Sequence, residues 1–267
     1  MTQVHPTAIV DAGATLGENC TVGPYCLVGG DVVLGDGCVL HSHVVVEGRT
    51  SLGAGCKVFP FASLGHAPQD LKYRGEPSRL EIGKGCVIRE QVTVNPGTEG
   101  GGMLTRVGDG CLLMVGAHVA HDCIVGDGVI LANNATLAGH VTIGERAILG
   151  GLSAVQQFVR IGHHAMIGGM AGIRQDVVPF GLVSGRPGVL TGLNMVGLRR
   201  MEAKRGQIDA LRKAYERAFD RQSGTLSDRL QDLEAQAGDN PLVEGFLAFL
   251  KAESAHGLLQ PLETDAL

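Results

Sequence analysis

Aliphatic side chains recur at every sixth position along most of the chain. At this position, which we call i, the residue is Val, Leu or Ile; glycine often follows at i+1, and i+4 is usually small or β-branched. A six-residue period does not match the about 3.6 residues of a helical turn, and so much glycine disfavours a helix. The pattern therefore predicts short strands separated by bends. The i positions are Val4, Val10, Leu16, Val22, Val28, Leu34, Leu40, Val46, Leu52, Val58, Leu64, Ile82, Ile88, Val94, Val107, Leu113, Val119, Val125, Leu131, Leu137, Ile143, Leu149, Val155, Ile161, Ile167 and Ile173.

The repeat predicts a parallel β-helix, a mainly β fold. Three hexapeptides form one triangular coil of 18 residues, and stacked coils pair their strands at a spacing of ~4.8 Å. Each coil buries its aliphatic residues only against its neighbours, as in other solenoids. Glycine accounts for 41 of 267 residues and aromatic residues for 4%, with no Trp. This composition fits a thin core of small and aliphatic side chains.

Two segments interrupt the repeat, and a third ends it. Residues 66–81 and 95–106 lack the pattern, and we expect both to form loops on the solenoid surface, where sites are often built. The β-helix is expected to span residues 1–190. Residues 191–267 carry helical spacing, beginning with a stripe that includes Ile208 and Leu211, and predict a small C-terminal helical domain.

The cysteines all occupy the i+4 position. Metal ligation, disulfide bonding and nucleophilic chemistry are the alternatives, but seven of seven at a small inward site indicate buried hydrophobic residues. Their odd number, the lack of a CxxC pair and an N-terminus unlike a secretory signal predict a cytoplasmic protein. They are Cys20, Cys26, Cys38, Cys56, Cys86, Cys111 and Cys123.

Charge and hydropathy limit the classes of partner. The net charge is −5, and no long basic run precedes the C-terminal region, so we expect no nucleic-acid binding. No apolar stretch approaches the ~18 residues of a membrane span, so we expect no integral membrane segment. His5, His41 and His256 belong to no cluster, and we expect them at the surface.

The segment HVAHDC, residues 118–123, carries the candidate chemistry. Residues 18 apart lie above one another in adjacent coils, so His121 stacks on Gly139 and Asp122 stacks on the following histidine. The outward residues of three coils thus converge on one edge of the prism. This cluster comprises His118, His121, Asp122, Gly139, His140 and Gln157.

Three kinds of chemistry compete for this cluster. A zinc site, as in the β-helix lyases of gamma carbonic anhydrase type, needs three well-aimed ligands, and no thiolate or further carboxylate completes a set here. A nucleophilic triad lacks a Ser or outward-facing Cys beside the histidine. General base catalysis by His121, with the neighbouring Gly139 amide as oxyanion donor, suits acyl transfer to a hydroxyl or an amine. We therefore predict a base rather than a metal site.

Three further segments carry a resemblance to a known family. The sequences QDLKYRGEP, LLMVGAHVAHDCIVGDGVILANNATLAGHV and LNMVGLRR resemble the acyl-[acyl carrier protein]–UDP-N-acetylglucosamine O-acyltransferases of lipid A biosynthesis. These belong to the hexapeptide-repeat acyltransferases, and the resemblance covers essentially the whole chain. It implies a left-handed β-helix, whereas general chirality rules favour right-handed crossovers.

The resemblance implies a role for each matching residue. His121 would deprotonate the sugar 3-hydroxyl for attack on a 3-hydroxyacyl thioester, Asp122 would orient it, and the Gly139 amide would stabilise the oxyanion. The remaining residues would bind substrate. His118, His140 and Gln157 would contact the substrate or phosphopantetheine, and Asp70 and Lys72 would hold the sugar and the nucleotide phosphate. Asn194 and Arg200 would bind the acyl or nucleotide part, and Gly169 would limit the end of the acyl chain.

The resemblance also implies partners. These are UDP-N-acetylglucosamine, an acyl carrier protein that brings its own phosphopantetheine, and two further copies of the chain in a homotrimer; no other cofactor is implied. Basic residues from 199 to 213 would attract the acidic carrier. Gln156, Arg186 and Met201 depart from the family's usual residues. The acyl length and the choice between a 3-hydroxyl and a 3-amino acceptor stay open.

Overall fold

The computed structural model describes residues 1–236 and 239–261, and the end of the expected helical domain at 262–267 lies outside them. Within the described residues, strands form the three faces of a left-handed parallel β-helix. The first face contains Gln3–Val4, Thr21–Val22, Val39–Leu40, Lys57–Val58, Val87–Ile88, Leu112–Leu113, Ile130–Leu131, Ile148–Leu149, Met166–Ile167, Gly181–Ser184 and Val189–Leu193. The second contains Ile9–Val10, Leu27–Val28, Val45–Val46, Ser63–Leu64, Thr93–Val94, His118–Val119, Thr136–Leu137, Ala154–Val155 and Gly172–Ile173. The third contains Thr15–Leu16, Val33–Leu34, Arg49–Leu52, Arg79–Ile82, Leu104–Val107, Ile124–Val125, Thr142–Ile143 and Arg160–Ile161.

The strand register follows the 18-residue coil. His118 pairs with Thr136, and Thr136 pairs with Ala154, so equivalent side chains stand in columns along each face. We call the edge between the first and second faces the first edge, that between the second and third faces the second edge, and that between the third and first faces the third edge. The mainly β fold predicted from the repeat is confirmed.

The inserted segments leave the second edge and return to the third face. Arg49 pairs with Arg79, and Arg79 pairs with Leu104, so each loop adds residues to a coil without shifting the register. The structure places residues 79–81 and 104–106, which the sequence assigned to the loops, in strands. The reason is that Leu80 and Thr105 are fully buried while the residues on either side of each are more exposed, as strand alternation requires.

The seven cysteines are buried and form no disulfides. Each thiol donates a hydrogen bond to a backbone carbonyl of the next coil, at 2.7–3.2 Å from sulfur to oxygen. Burial raises the pKa of Cys123 to about 12. The thiols therefore serve as small core residues that also join neighbouring coils.

The helical region follows a hairpin that closes the first face. The strand Val189–Leu193 crosses the expected domain boundary at residue 190 and pairs antiparallel with Gly181–Ser184. Four helices follow within the described residues: α1 (Met195–Arg200), α2 (Arg205–Phe219), α3 (Leu226–Gln236) and α4 (Pro241–Lys251). None of the helices in the described ranges is both long and apolar enough to cross a membrane.

Arg160 connects the solenoid to the helical region. Arg160 places its Nη2 2.7 Å from Oδ2 of Asp176, whose side chain is fully buried, and its guanidinium lies 4.5 Å from the Phe249 ring centre on α4. Backbone bonds from Asp176 to Gly257 and from Leu259 back to Asp176 then attach the segment after α4 to the last coil. These contacts fix the C-terminal segment against the second edge.

Candidate active site

The candidate site lies on the second edge, where the strand His118–Val119 ends in a turn. His121 and Asp122 are the two turn residues, and both are buried, with 6% and 5% of their surface exposed. Asp122 has a φ of +59°, the left-handed conformation that this turn imposes on its second residue and that aspartate tolerates better than most residues. The repeat thus directs both functional side chains away from the core.

His121 and Asp122 form a hydrogen-bonded pair. Nδ1 of His121 lies 2.8 Å from Oδ2 of Asp122. An ionised carboxylate only accepts hydrogen bonds, so the imidazole proton is on Nδ1 and Nε2 carries the lone pair. Among the described residues Nε2 has no hydrogen-bond partner. This arrangement presents a base to an incoming proton donor.

The second inserted loop fixes the carboxylate of Asp122. The Thr98 amide donates to Oδ1 at 2.8 Å, and the Thr98 hydroxyl donates to Oδ2 at 2.6 Å. The Thr105 hydroxyl accepts a hydrogen bond of 2.7 Å from the backbone amide of Asp122. Gly101 packs so closely on the carboxyl group that a side chain there would overlap it. Sequence reasoning missed these three residues; the only signal was that the insertion precedes the His121 coil.

Gly139 lies directly against the His121 ring. A Cβ at Gly139 would be 2.5 Å from Cε1 and 2.6 Å from Nε2 of His121, so only glycine fits. Gly139 is buried, and within residues 1–236 and 239–261 its N–H donates to no protein acceptor. The base nitrogen and an unpaired amide donor thus share one small region.

His118 and His140 flank the pair as neutral imidazoles. Nδ1 of His118 lies 2.7 Å from the Thr93 hydroxyl, and the His140 ring stacks on Phe158 with 4.5 Å between ring centres. Burial, and secondarily the charge of His121, lowers the pKa of His118. Burial also lowers the pKa of His140, against the opposing effect of Asp122. Both side chains therefore stay uncharged near neutrality.

The remaining predicted binding residues occupy different parts of the molecule. Asp70 and Lys72 lie in the first inserted loop, where the Asp70 carboxylate accepts a hydrogen bond from the backbone amide of Lys72. The charge of Asp70 raises the pKa of His140 and that of Lys72 lowers it, both as minor effects beside burial. Gln157 is exposed on the second edge, two coils beyond His121. Gly169 is exposed on the first edge, after the strand Met166–Ile167. The structure therefore places Gln157 on the same edge as the pair and the charges of the first loop near His140, whereas Gly169 lies on another edge.

Asn194 and Arg200 line a separate cavity of about 630 Å³ between the first face, the third edge and α1. The Asn194 side chain caps α1, since Oδ1 accepts the Gly197 amide at 2.9 Å, and its Nδ2 donates to the His164 carbonyl. His163 and His164 share a hydrogen bond of 3.1 Å between their Nδ1 atoms beside this cavity. Burial is the main cause that lowers the pKa of both.

The three departures lie around these regions. Gln156 is exposed next to Gln157, and its backbone N–H donates to the Ile173 carbonyl. Nε of Arg186 donates to the Met170 carbonyl at 3.1 Å, beside Gly169. Met201 supplies part of the apolar wall of the cavity that contains Arg200.

His121, Asp122 and His140 could also hold a metal ion, because one ligand atom from each lies within 4.8 Å of the others. Both Asp122 oxygens, however, already accept hydrogen bonds, and one of these fixes the His121 ring. A zinc ion would have to compete with this network for its ligands. The geometry fits a base and its orienting carboxylate better than a zinc-dependent lyase.

Comparisons with known proteins identify the family of the chain. The family model described as UDP N-acetylglucosamine O-acyltransferase, domain 2, matches residues 176–259, and a bacterial transferase hexapeptide model matches residues 13–48 and 104–139. The acyl-[acyl-carrier-protein]–UDP-N-acetylglucosamine O-acyltransferase of Azorhizobium caulinodans is 50% identical over 97% of this chain and 95% of its own length. The corresponding protein of Methylobacterium radiotolerans is 57% identical over 78% of this chain and 76% of its own length.

A solved structure gives the same result for the fold. The UDP-N-acetylglucosamine acyltransferase of Campylobacter jejuni superimposes with a TM-score of 0.91 at 35% identity, over 97% of this chain and 100% of that one. The two folds thus correspond along nearly the full length of both chains. On this identity and coverage, the chain belongs to the acyl-[acyl-carrier-protein]–UDP-N-acetylglucosamine O-acyltransferase family.

Proposed function

We propose that this protein transfers a 3-hydroxyacyl chain from acyl carrier protein to the 3-hydroxyl of UDP-N-acetylglucosamine, the first step of lipid A biosynthesis. The observation that carries the proposal is the buried His121–Asp122 pair, whose unpaired Nε2 lies against Gly139. The names of the relatives support the substrates. The pair supports the chemistry, because acyl transfer to a hydroxyl needs one base and one oxyanion donor.

The reaction follows from the positions of these groups. Nε2 of His121 takes the proton of the sugar 3-hydroxyl as its oxygen attacks the thioester carbonyl carbon. The Gly139 N–H donates to the negatively charged oxygen of the tetrahedral intermediate. The carbon–sulfur bond then breaks, and the imidazolium returns its proton to the leaving phosphopantetheine thiolate. Asp122 stabilises the imidazolium between these two proton transfers.

The substrate-binding residues surround this centre in the proposal. His118, His140 and Gln157 lie along the second edge and contact substrate or the phosphopantetheine arm. Asp70 and Lys72 in the first loop hold the sugar and the nucleotide phosphate. The cavity lined by Asn194 and Arg200 takes the acyl or nucleotide part, and Gly169 limits the acyl chain. The donor arrives with its own phosphopantetheine, so the proposal includes no other cofactor.

A homotrimer with sites between subunits completes the proposal. His121 lies on the second edge, Gly169 on the first, and Asn194 near the third, so one chain presents its binding residues on separate edges of the prism. Packing of prism edges from neighbouring copies would bring these residues together. We also propose that the enzyme works in the cytoplasm and that the exposed basic residues on α1 and α2 steer the acidic carrier protein to it.

Mass spectrometry of the reaction product tests the proposal. The protein is supplied with UDP-N-acetylglucosamine or its 3-amino analogue, and with carrier proteins loaded with 3-hydroxyacyl chains of several lengths. We expect an ester at the 3-position, formed with one preferred length. His121→Ala should lower kcat by ~10²–10⁴-fold, whereas His5→Ala, at an exposed position far from the site, should not. Near-normal turnover by folded His121→Ala contradicts the mechanism.

A further inference from the structure

One hydrogen bond repeats from turn to turn along the second edge. The His140 amide donates to the His121 carbonyl at 3.0 Å, and the Phe158 amide donates to the Gly139 carbonyl at 3.2 Å. In both cases the second residue of a turn donates to the first turn residue of the preceding coil. This ladder of backbone bonds passes through the candidate catalytic residues and sets the distance between their turns.

The ladder is interrupted after Phe158 because the next turn is too short. Val155 and Ile161, which flank the turn at 157–158, are six residues apart, whereas Ile173 and Val177, which flank the next turn, are four apart. Two turn residues are missing, and among the described residues no backbone amide donates to the Gln157 carbonyl. This carbonyl would otherwise end the ladder without a protein donor.

A side chain from the C-terminal segment takes the missing position. Nε2 of His256 lies 2.8 Å from the Gln157 carbonyl oxygen, across 99 residues of sequence. A carbonyl only accepts, so Nε2 carries the proton in this contact. The segment itself is fixed, because the Asp176 amide donates to the Gly257 carbonyl at 2.9 Å and the Leu259 amide donates to Asp176 at 2.8 Å. The His256 imidazole N–H thus takes the place of the backbone amide that the absent turn would supply.

We propose that His256 is a positioning residue for the acyltransferase site. It holds the turn that carries Gln157 and Phe158, and Phe158 stacks on His140 with the ring planes 12° apart. The His140 ring in turn meets the His121 ring edge-on, with 5.0 Å between centres. His256 acts through these residues and needs no contact with substrate. The inference rests on the proposed function, which assigns substrate contacts to Gln157 and His140.

Kinetics of two variants test this role. His256→Ala removes the donor, and we expect the KM for the acyl carrier substrate to rise about three- to tenfold, as for loss of one neutral hydrogen bond, with a smaller change in kcat. His256→Gln keeps an N–H donor and should restore the KM to near the wild-type value. Ser254→Ala is the control, because its hydroxyl accepts the Gly257 amide in the same segment without touching Gln157.

NMR of the full-length protein supplies a readout that would not change if His256 only attached the C-terminal segment to the solenoid. In His256→Ala the His140 ring protons should change chemical shift, since Phe158 no longer stacks in one position, whereas Ser254→Ala should leave them unchanged. In the wild type the ¹⁵N signals should show the Nε2–H tautomer of His256. An Nδ1–H tautomer, an unchanged KM in His256→Ala, or equal impairment of both His256 variants overturns the proposal. Wild-type turnover tests the proposed function separately.

Discussion

Gly139→Ala tests whether the close approach of the His121 ring to the backbone is needed for catalysis. The added Cβ would lie 2.5 Å from Cε1 of His121, whereas carbon atoms in contact are about 3.5 Å apart. The ring must therefore move by about 1 Å, and the 2.8 Å bond to Asp122 cannot be kept. A displacement of about 1 Å at a reacting group costs ~10²-fold in rate, or about 2.7 kcal/mol of transition-state stabilisation.

The assay is the initial rate of ester formation at saturating UDP-N-acetylglucosamine. We expect kcat of Gly139→Ala to fall about 100-fold while the circular dichroism spectrum stays that of the wild type, because the aliphatic core is untouched. Loss of the bond to Asp122 should lower the free energy of unfolding by about 1.5–3 kcal/mol. Gly100→Ala is the matched control, since a Cβ there meets no atom within 4 Å. A folded Gly139→Ala enzyme with wild-type kcat refutes the steric argument.

Two further predictions concern the carboxylate and the half-buried histidines. Thr98→Val removes the 2.6 Å hydroxyl bond to Asp122; we expect the free energy of unfolding to fall by about 1.5–3 kcal/mol and kcat to drop, while Thr98→Ser, which keeps the hydroxyl, stays near wild type. If Thr98→Val and the wild type have the same free energy of unfolding in urea titrations, the bond does not stabilise the protein. In the folded protein the pKa lies below the ordinary 6.5 for His118, His140, His163 and His164. Below about pH 6.5 the unfolded chain therefore binds more protons than the folded chain. The free energy of unfolding should then decrease as the pH falls from about 6.5 through the lowered pKa values. Thermal midpoints measured from pH 7.5 down to about 5 should show this loss, with a shallower slope in His163→Gln; a flat profile contradicts it.

The sequence was sufficient for the features that the repeat controls. An 18-residue coil places His121 beside Gly139 and Asp122 beside His140 without any information beyond the aliphatic register, and the structure has these neighbours. The same register places every cysteine inside. Such inferences succeed because each coil contacts only its neighbours, so position in the repeat determines position in space.

The features that the sequence did not reveal come from outside the register. Thr98 lies in an inserted loop, where no period relates residue number to location, and nothing in NPGTEGGG shows that its hydroxyl meets Asp122. His256 meets the Gln157 carbonyl only because one turn lacks two residues and a distant segment fills the gap. By contrast, the strand at 79–82 could have been recognised from the alternation of charged Arg79 and Glu81 with apolar Leu80 and Ile82.

The way the two insertions leave the coil has a consequence for protein engineering. A coil accepts 12 additional residues before Arg79 and seven more before Leu104, and the strands on both sides still pair in register. An insertion at this edge therefore changes what surrounds the His121–Asp122 pair without moving the backbone that carries it, because the next coil restores the backbone path. Deletion of one residue within a strand would instead turn the following side chains of that strand to the opposite face. We therefore expect exchange of the first inserted loop to alter substrate preference, with the β-helix and the Thr98 contacts to Asp122 kept as an unchanged support.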